Sequence, residues 1–299
     1  MIKVFYNPLQ SAEKNNSFSP SASKPRLVAD VFSQFPSVKI EECFSPISIS
    51  ALCRVHDPKY VKGVLDCKIN NGFGNRLPEI AKTLRWTSGS MYAAAKCAIR
   101  KGVAVSLTSG FHHASYDHGS GFCTFNGLMA AAVKLLDQGH SKIGILDLDA
   151  HYGDGTENII KTLGLENKIS HYTFGREFYR FDSERQWLNS LEQAIIDKFS
   201  DCDVVLYQAG ADPHIDDPLG KMLTTEAMRE RDQIVFRTCK AHKIPVAWNL
   251  AGGYQQPIEK VLELHANTLI ECVLVFEKTK KRPSRLRLKD VWIPIKPMY

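Results

Sequence analysis

The stretch Ile145-Leu146-Asp147-Leu148-Asp149-Ala150-His151-Tyr152-Gly153-Asp154-Gly155-Thr156-Glu157 decides the fold. Residues 142–146, which lead into it, are mostly apolar and are typical of a buried parallel strand. Asp147, Asp149 and His151 then follow at a spacing of two, and residues two apart on an extended backbone point to the same side. The stretch therefore predicts three potential metal ligands aimed at one place. That place is the carboxyl end of a strand, where open α/β sheets bind their ligands.

An ordinary explanation competes with the metal site. An acid and a histidine after a strand often cap the next helix and satisfy loop amides. Gly153 and Gly155 allow a sharp turn here, and residues 156–160 are typical of a helix start. Two acids and a histidine this close together are nevertheless costly to bury without a cation or other partners. The pattern therefore favours a metal site.

The composition is that of a soluble globular protein. Hydrophobic residues make up 44% and charged residues 23% of the 299 residues, and no apolar run is long enough to cross a membrane. We expect one catalytic domain over residues 1–299, because no linker divides the chain. The start of the chain, residues 1–6, is predicted to be a strand and not a signal peptide.

The cysteine pattern and the net charge indicate the redox compartment and the kind of partner to expect. The eight cysteines are scattered without a CxxC pair, which suits a reducing compartment and argues against a disulfide framework or a zinc ribbon. We therefore expect a cytoplasmic protein with no membrane attachment. The net charge is +6, and the basic cluster at residues 278–285 is interpreted as a solvated loop, so no nucleic-acid partner is expected.

Strand-like and helix-like segments alternate along the chain, which predicts an α/β fold with helices on both faces of a parallel sheet. The predicted strands are 1–6, 38–42, 103–107, 142–146, 170–174, 204–208 and 245–250. The main predicted helices are 25–34, 88–100, 127–138, 184–199, 225–240 and 257–266.

Four of these strands end in polar, glycine-containing loops that carry His112 and His113, then Asp147 to His151, then Asp212, then Tyr254. In a parallel sheet these ends share one edge. A metal ion there can take Asp149, His151 and Asp212. Three protein ligands with open positions are typical of catalytic zinc, although an oxygen and nitrogen set also suits Fe(II) or Mn(II).

The remaining polar residues suit acid–base chemistry. His112 and His113 can exchange protons with water and substrate, and Asp147 and Asp154 can each hold one imidazole through a ring N–H. Tyr254 can donate its phenol to an oxyanion. Taken singly, each has an ordinary structural explanation, but their joint position at strand ends favours an active site. Five other histidines and Cys123 are interpreted as packing or surface residues: His56, His140, His171, His242 and His265.

The motifs in this order resemble those of the histone deacetylase superfamily, which includes acetylpolyamine amidohydrolases and acetoin-utilisation proteins. They are SGFHHA at 109–114, GFCTFN at 121–126, DLDAHYGDGTE at 147–157, GAD at 210–212 with DPLG at 217–220, and GGY at 252–254. They span the chain from about His56 to Tyr254, and together they are highly specific, although each is short.

The resemblance implies an arginase–deacetylase fold with a central, mainly parallel eight-stranded sheet. It implies zinc on Asp149, His151 and Asp212, with His113 as general base and acid and His112 as its electrostatic partner. Four residues would contact the substrate: Gly121, Phe122, Phe178 and Gly252. Phe122 and Phe178 would be the walls of a narrow channel. A structural potassium ion would use Asp147, Asp149, His151 and either Ser170 or Thr173.

Two positions depart from the family pattern. Tyr152 stands where many relatives have a second histidine, a position that is not a ligand. The acidic residue with which many relatives grip the substrate backbone is not evident in residues 70–78, where Asn75 is the nearest polar candidate. The net positive charge does not favour a polycationic substrate, and acidic rim residues such as Asp117, Asp216 or Asp217 would offset it.

We therefore predict zinc-dependent hydrolysis of a small acetylated amine, such as an acetylpolyamine. Three alternatives stay open: a protein acetyl-lysine deacetylase, a binuclear manganese ureohydrolase, and a non-catalytic binding protein for small acetylated ligands. The ureohydrolase is disfavoured because Gly153 stands where that branch needs a further aspartate. The intact His113, Asp212 and Tyr254 argue against the binding protein.

Overall fold

A computed structural model describes residues 1–277 of the chain, and its centre is one parallel sheet. The seven strands lie in the order β2-β1-β3-β7-β6-β4-β5, and each neighbouring pair runs parallel. Their bounds are β1 Ile2–Phe5, β2 Val38–Glu41, β3 Val103–Ser106, β4 Ile143–Asp147, β5 Ile169–Thr173, β6 Val204–Gln208 and β7 Val246–Asn249. The predicted α/β class is confirmed, with seven strands in the described part where the resemblance implies eight. The basic cluster at 278–285 lies outside the described residues.

Ten α-helices connect and cover these strands within the described part of the chain. They are α1 Lys24–Phe32, α2 Ile49–Leu52, α3 Pro58–Leu65, α4 Pro78–Lys101, α5 Gly127–Leu136, α6 Asp154–Leu163, α7 Phe174–Glu177, α8 Glu184–Phe199, α9 Thr225–Ala241 and α10 Glu259–Phe276. Short 3₁₀ turns lie at Pro8–Gln10, Pro20–Ala22 and Phe178–Arg180. In residues 1–277, no helix combines the length and the apolar character needed to span a bilayer.

The helices form a layer on each face of the sheet. One core lies between the sheet and α1, α8, α9 and α10, and the other lies between the sheet and α3 to α6. β4 serves both, because Ile143 and Ile145 belong to the second core and Leu146 to the first. Strands buried on both faces are near-continuously apolar, which explains why the sequence pattern identified them.

Two long helices exceed their predicted bounds. α4 begins at Pro78 instead of residue 88, with the proline in the first turn, where its missing N–H costs nothing. α10 continues past residue 266 to Phe276. Asn267 and Thr268 weaken the helical pattern there, but the buried packing of α10 against α9 overrides that local preference.

The strand order places four loops side by side. β3, β7, β6 and β4 are adjacent, and their last residues are in register: Ser106 pairs with Asn249, Asn249 with Gln208, and Gln208 with Asp147. The loops that follow these four strands carry the predicted site residues. They therefore leave the sheet along one continuous edge.

Candidate active site

The three predicted metal ligands converge in the structure. The Nδ1 atom of His151 lies 3.0 Å from Oδ1 of Asp149 and 2.9 Å from Oδ2 of Asp212. One potential ligand atom from each residue falls within 4.8 Å of the other two. Asp149 and Asp212 are buried, and the His151 side chain is one-third exposed. We call Asp149, His151 and Asp212 the ligand cluster.

The electrostatics of the ligand cluster fit a cation. Burial and the nearby charge of Asp149 raise the pKa of Asp212 to about 8. Hydrogen bonds to Asp149 and Asp212 raise the pKa of His151 to about 11. The Oδ1 atom of Asp212 is buried and finds no hydrogen-bond partner among residues 1–277. The cluster thus concentrates negative charge and an unpaired acceptor, which a divalent cation bound by oxygen and nitrogen would neutralise.

Two glycines allow the loops to close around the carboxylates. A Cβ atom on Gly252 would lie 2.5 Å from Cγ of Asp212 and 2.8 Å from Oδ2 of Asp149. A Cβ atom on Gly210 would lie 2.5 Å from Oδ1 of Asp212. The backbone N–H of Gly252 also donates to Oδ2 of Asp149, at 2.9 Å. Gly252, predicted as a substrate contact, therefore orients Asp149, a predicted metal ligand.

The histidine pair is held by the two predicted aspartates. Nδ1 of His112 lies 2.7 Å from Oδ2 of Asp147, and Nδ1 of His113 lies 2.6 Å from Oδ1 of Asp154. His112 is buried, which opposes its protonation, but Asp147 and Asp149 outweigh this and raise its pKa to about 9. The His113 ring lies 5.8 Å from that of His151, centroid to centroid. Nε2 of His112 lies 3.6 Å from Oδ1 of Asp149, so the Nε2 atom of His113 is the ring nitrogen left for chemistry.

Tyr254 lies beside this group on the loop after β7. Burial and the charges of Asp212 and Asp149 raise the pKa of its phenol well above the ordinary value, so the hydroxyl stays a donor. Its backbone N–H donates to Oδ2 of Asp217 at 2.7 Å, while Oδ1 of Asp217 accepts from the Leu219 N–H. Asp217 is fully buried, so its expected place on an acidic rim is wrong. It fixes the tyrosine loop instead.

A buried lysine lies under the same loop and was missed in the sequence. Nζ of Lys24 donates to the carbonyl oxygens of Ala251 and Gly252, at 2.8 and 3.0 Å. Its burial lowers its pKa to about 8, although the nearby acids oppose that change. The sequence did carry a signal, because Lys24 lies on the apolar stripe of α1 with Val28 and Phe32, where a lysine needs buried acceptors.

Three phenylalanine side chains cluster with Tyr254 at the approach to the site. The Phe122 ring lies 5.7 Å from Tyr254, 5.8 Å from Phe73 and 5.3 Å from Phe18, measured between centroids. Phe18 also lies 6.2 Å from Tyr254. We call these four residues the aromatic mouth. Gly121 precedes Phe122 with φ +52°, and a Cβ atom there would collide with the His113 ring.

Phe178 is not part of the aromatic mouth. Its ring packs against Phe174 at 4.8 Å and Trp187 at 6.1 Å, in the core under α8. Among residues 1–277, no ring contact joins Phe178 to Phe122, whereas Phe18 and Phe73 both contact that ring. The place of Phe178 on the channel wall stays a prediction. Neither Phe18 nor Phe73 lies near a recognisable motif, since Phe18 stands in a polar loop and Phe73 in a glycine-rich one.

The register of β5 separates the two candidates for the potassium site. Ser170 pairs with Gly144, away from the site, whereas Thr173 pairs with Asp147 at the carboxyl edge. Oγ1 of Thr173 accepts from the Gly153 N–H at 3.0 Å. Ser170 is therefore misplaced in the predicted ligand set, and Thr173 is the residue positioned beside Asp147. The potassium site itself stays a prediction.

The other predicted accessory residues have structural partners. Asn75 donates to the carbonyl of Asn15 at 2.6 Å and accepts from Asn71, so it braces its own loop. Asp117 and Asp216 are exposed, and Asp117 pairs with His118. Burial raises the pKa of the Cys123 thiol to about 12, which agrees with its interpretation as a packing residue.

A three-residue cluster that could hold a metal ion, a histidine pair and a phenol donor meet at one sheet edge, as in a metal-dependent amide hydrolase. Residues 24–182 and 165–269 match the Histone deacetylase domain family. Because these matches cover more than half of the sequence, the chain belongs to the histone deacetylase family.

Individual relatives agree with that assignment. An uncharacterized protein from Picosynechococcus is 32% identical over 241 residues, which cover 71% of this chain and 78% of that protein. Histone deacetylase 2 from Arabidopsis thaliana is 29% identical over 196 residues, 58% of this chain but only 50% of the relative's length. The structure of an acetylpolyamine aminohydrolase from Burkholderia pseudomallei superposes with a TM-score of 0.71. It is 18% identical and covers 92% of this chain and 99% of that one, which shows a shared fold.

Proposed function

We propose that this protein is a zinc-dependent hydrolase that releases acetate from a small acetylated amine. The observation that carries the proposal is the convergence of the ligand cluster, His113 and Tyr254 next to the aromatic mouth. Family membership supports amide hydrolysis, and the donor set of Asp149, His151 and Asp212 suits zinc, with Fe(II) as the other metal that fits.

His113 acts as the general base and then as the general acid. Its Nδ1–H donates to Asp154, which fixes the tautomer and leaves Nε2 to accept a proton from the attacking water. The same proton passes to the leaving amine when the amide C–N bond breaks. Asp147 holds Nδ1 of His112, and Asp147 and Asp149 raise the pKa of its imidazole, so His112 can serve as the electrostatic partner of His113.

Tyr254 donates its phenolic O–H to the oxyanion that forms from the substrate carbonyl. Lys24 and Asp217 hold the loop of Tyr254 from two sides, so the hydroxyl is oriented before the substrate arrives. A bound divalent cation would supply polarisation of the carbonyl and a lower pKa for the attacking water.

The aromatic mouth supports a substrate with an extended alkyl chain. Flat apolar rings can enclose methylene groups, and they can also bind an ammonium group by cation–π attraction. Acetylated diamines and polyamines have both features. A second candidate, a protein acetyl-lysine deacetylase, is favoured by the sequence similarity to histone deacetylase 2 of Arabidopsis. Acetyl-lysine presents the same alkyl chain with an acetamide at its tip.

The manganese ureohydrolase fits the structure poorly. A Cβ atom on Gly153 would lie 2.5 Å from Oδ2 of Asp147, so the further aspartate has no space at that position. Within residues 1–277, the side chains able to hold a metal form one three-residue group, the ligand cluster.

The test is a deacetylation assay of zinc-loaded protein on acetylputrescine, acetylcadaverine, acetylspermidine and an acetyl-lysine peptide. Turnover of the small amines with little turnover of the peptide is expected, and Tyr254→Phe and His113→Ala should abolish most of it. Turnover of the peptide alone would replace the proposal with the protein deacetylase. If no substrate reacts and both variants match the parent protein, the catalytic proposal fails.

A further inference from the structure

The helix α9 carries an arginine that lies entirely inside the protein. Arg231 is fully buried, and its Nη1 atom donates to two carbonyl oxygens, those of Leu148 at 3.2 Å and Gly210 at 2.8 Å. Leu148 stands between Asp147 and Asp149, and Gly210 stands two residues before Asp212. One guanidinium nitrogen therefore connects the two loops that carry the ligand cluster.

The guanidinium pairs with the carboxylate of Asp232, which two hydroxyl groups hold in place. Its Nε atom donates to Oδ1 of Asp232 at 2.8 Å. The same carboxylate accepts hydrogen bonds from the hydroxyl of Tyr207 on β6 and the hydroxyl of Thr268 on α10. Burying an ion pair costs several kcal/mol per ion unless such partners satisfy it. A purely apolar pair would fill this space more cheaply, so the pair needs a reason beyond packing.

The planar fork of the side chain explains why arginine stands here. Arginine presents N–H groups in several fixed directions, so it binds Asp232 and both carbonyl oxygens at once. A lysine ammonium is a compact charge without the planar fork, so it cannot donate to Asp232 and both carbonyl oxygens in the same directions. Among the described residues, the second terminal nitrogen, Nη2, has no acceptor, so Nε and Nη1 make the hydrogen bonds of Arg231.

We propose that Arg231 is a positioning residue for metal binding. By joining the carbonyls of Leu148 and Gly210, it fixes the separation of the two loops, so that Asp149 and Asp212 face each other before a metal arrives. The inference rests on the proposed metal-dependent function and adds to it a residue that touches neither metal nor substrate. Preorganised ligands lose less conformational freedom on binding, which raises affinity.

The experiment measures metal affinity and not turnover. Purified protein is stripped with a chelator and titrated with Co(II), following heat and the visible d–d absorption, and with Zn(II) by competition. Arg231→Met is expected to weaken binding by about 10- to 100-fold, the range typical for groups that orient metal ligands. Its cobalt spectrum should also change, because the ligands no longer meet in one geometry.

Arg229→Met is the matched control. Arg229 lies two positions earlier on the same helix and binds the buried carboxylate of Glu271, with Nε and Nη2 at 3.0 and 2.6 Å. It touches neither ligand loop. This variant should lower the melting temperature while leaving the metal affinity and the cobalt spectrum unchanged, which separates loss of stability from loss of positioning.

Two milder variants keep the test decisive if Arg231→Met does not fold. Arg231→Lys keeps the charge but loses the fork, and Tyr207→Phe removes one hydroxyl from Asp232. Both should bind metal more weakly than the parent. Parental affinity in both, or in a folded Arg231→Met, overturns positioning. Tighter binding by Arg231→Met with parental binding by Arg231→Lys also overturns it, since the charge alone would then matter.

The same data separate this inference from the proposed function. A parent protein that binds metal but hydrolyses no acetylated amine refutes the function and leaves the role of Arg231 to be decided by the affinities. A parent that binds no metal overturns both. Weaker binding in the Arg231 variants alone, with Arg229→Met at the parental value, supports the positioning role.

Discussion

The ligand cluster takes its three side chains from the ends of two adjacent strands, whereas the aromatic mouth takes its four rings from four separate loops. The carboxylates of Asp149 and Asp212 are buried, and Phe18 at the mouth is 67% exposed. Sheet register sets the distances in the first region, and loop packing sets them in the second. Changes in the ligand cluster, His113 or Tyr254 should therefore abolish activity, while changes in the three phenylalanines of the mouth should alter substrate affinity.

The largest effect is expected from His113→Ala. Loss of the general base should lower kcat by about 10²- to 10⁴-fold, because proton transfer then falls to bulk water. KM should change little, since the aromatic mouth is intact. Steady-state kinetics on the best acetylated amine measure both values.

His118→Ala is the control for that variant. His118 is exposed and pairs with Asp117, so its loss should leave kcat within about two-fold of the parent, as expected for a surface position. A loss of less than ten-fold in His113→Ala would contradict the role of this histidine as general base.

Gly252→Ala tests how closely the second loop must approach the metal ligands. The added methyl would lie 2.5 Å from Cγ of Asp212, so one of the two loops must move. We expect metal affinity to fall by about 10- to 100-fold, as for other changes that misorient ligands. Titration of chelator-stripped protein with Co(II) gives the value.

Gly74→Ala provides the comparison for this glycine. Gly74 has φ +74°, and no atom lies within 4 Å of an added Cβ, so only backbone strain is introduced. This variant should lose about 1 kcal/mol of stability and no metal affinity. Equal metal affinities in the two glycine variants would show that the close approach at Gly252 is not needed.

The ligand cluster could be predicted from the sequence because its geometry follows from local spacing. Asp149 and His151 follow directly after the end of β4, and its parallel neighbour β6 brings Asp212 to the same edge of the sheet. Asp147 and Asp154 were likewise found with their histidines, at 2.7 and 2.6 Å. Short-range rules were sufficient for these residues.

The mouth and the buried cations could not be predicted in the same way. Phe18 reaches Phe122 across more than 100 residues of chain, and no pattern at either position encodes that contact. Lys24 and Arg231 did leave a signal, since each interrupts the apolar stripe of its helix. A charged residue on such a stripe predicts a buried partner but not its identity.

A smaller effect is expected from Phe18→Ala at the mouth. An aromatic contact contributes about 0.5–1.5 kcal/mol beyond its buried area, so KM should rise about 3- to 10-fold with kcat nearly unchanged. Tyr179→Ala is the control, because Tyr179 is also exposed, at 75%, and its ring contacts Phe178 and not the aromatic mouth. An unchanged KM in Phe18→Ala would remove this ring from the substrate path.

The smallest effect on activity is expected from Phe178→Ala, which tests whether Phe178 forms a wall of the channel. Phe178 is half-buried against Phe174 and Trp187, so its truncation should cost about 1–3 kcal/mol of unfolding free energy, less than a fully buried phenylalanine. Urea unfolding measures this loss, and KM should stay within two-fold of the parent at ~25 °C. The opposite pattern, parental stability with a raised KM, would show that Phe178 contacts the substrate as a further wall of the channel. Comparing Phe18→Ala with Phe178→Ala thus decides which of the two rings binds the substrate opposite Phe122. Phe178 packs against Phe174 and Trp187, whereas Phe18 packs against Phe122 and Tyr254.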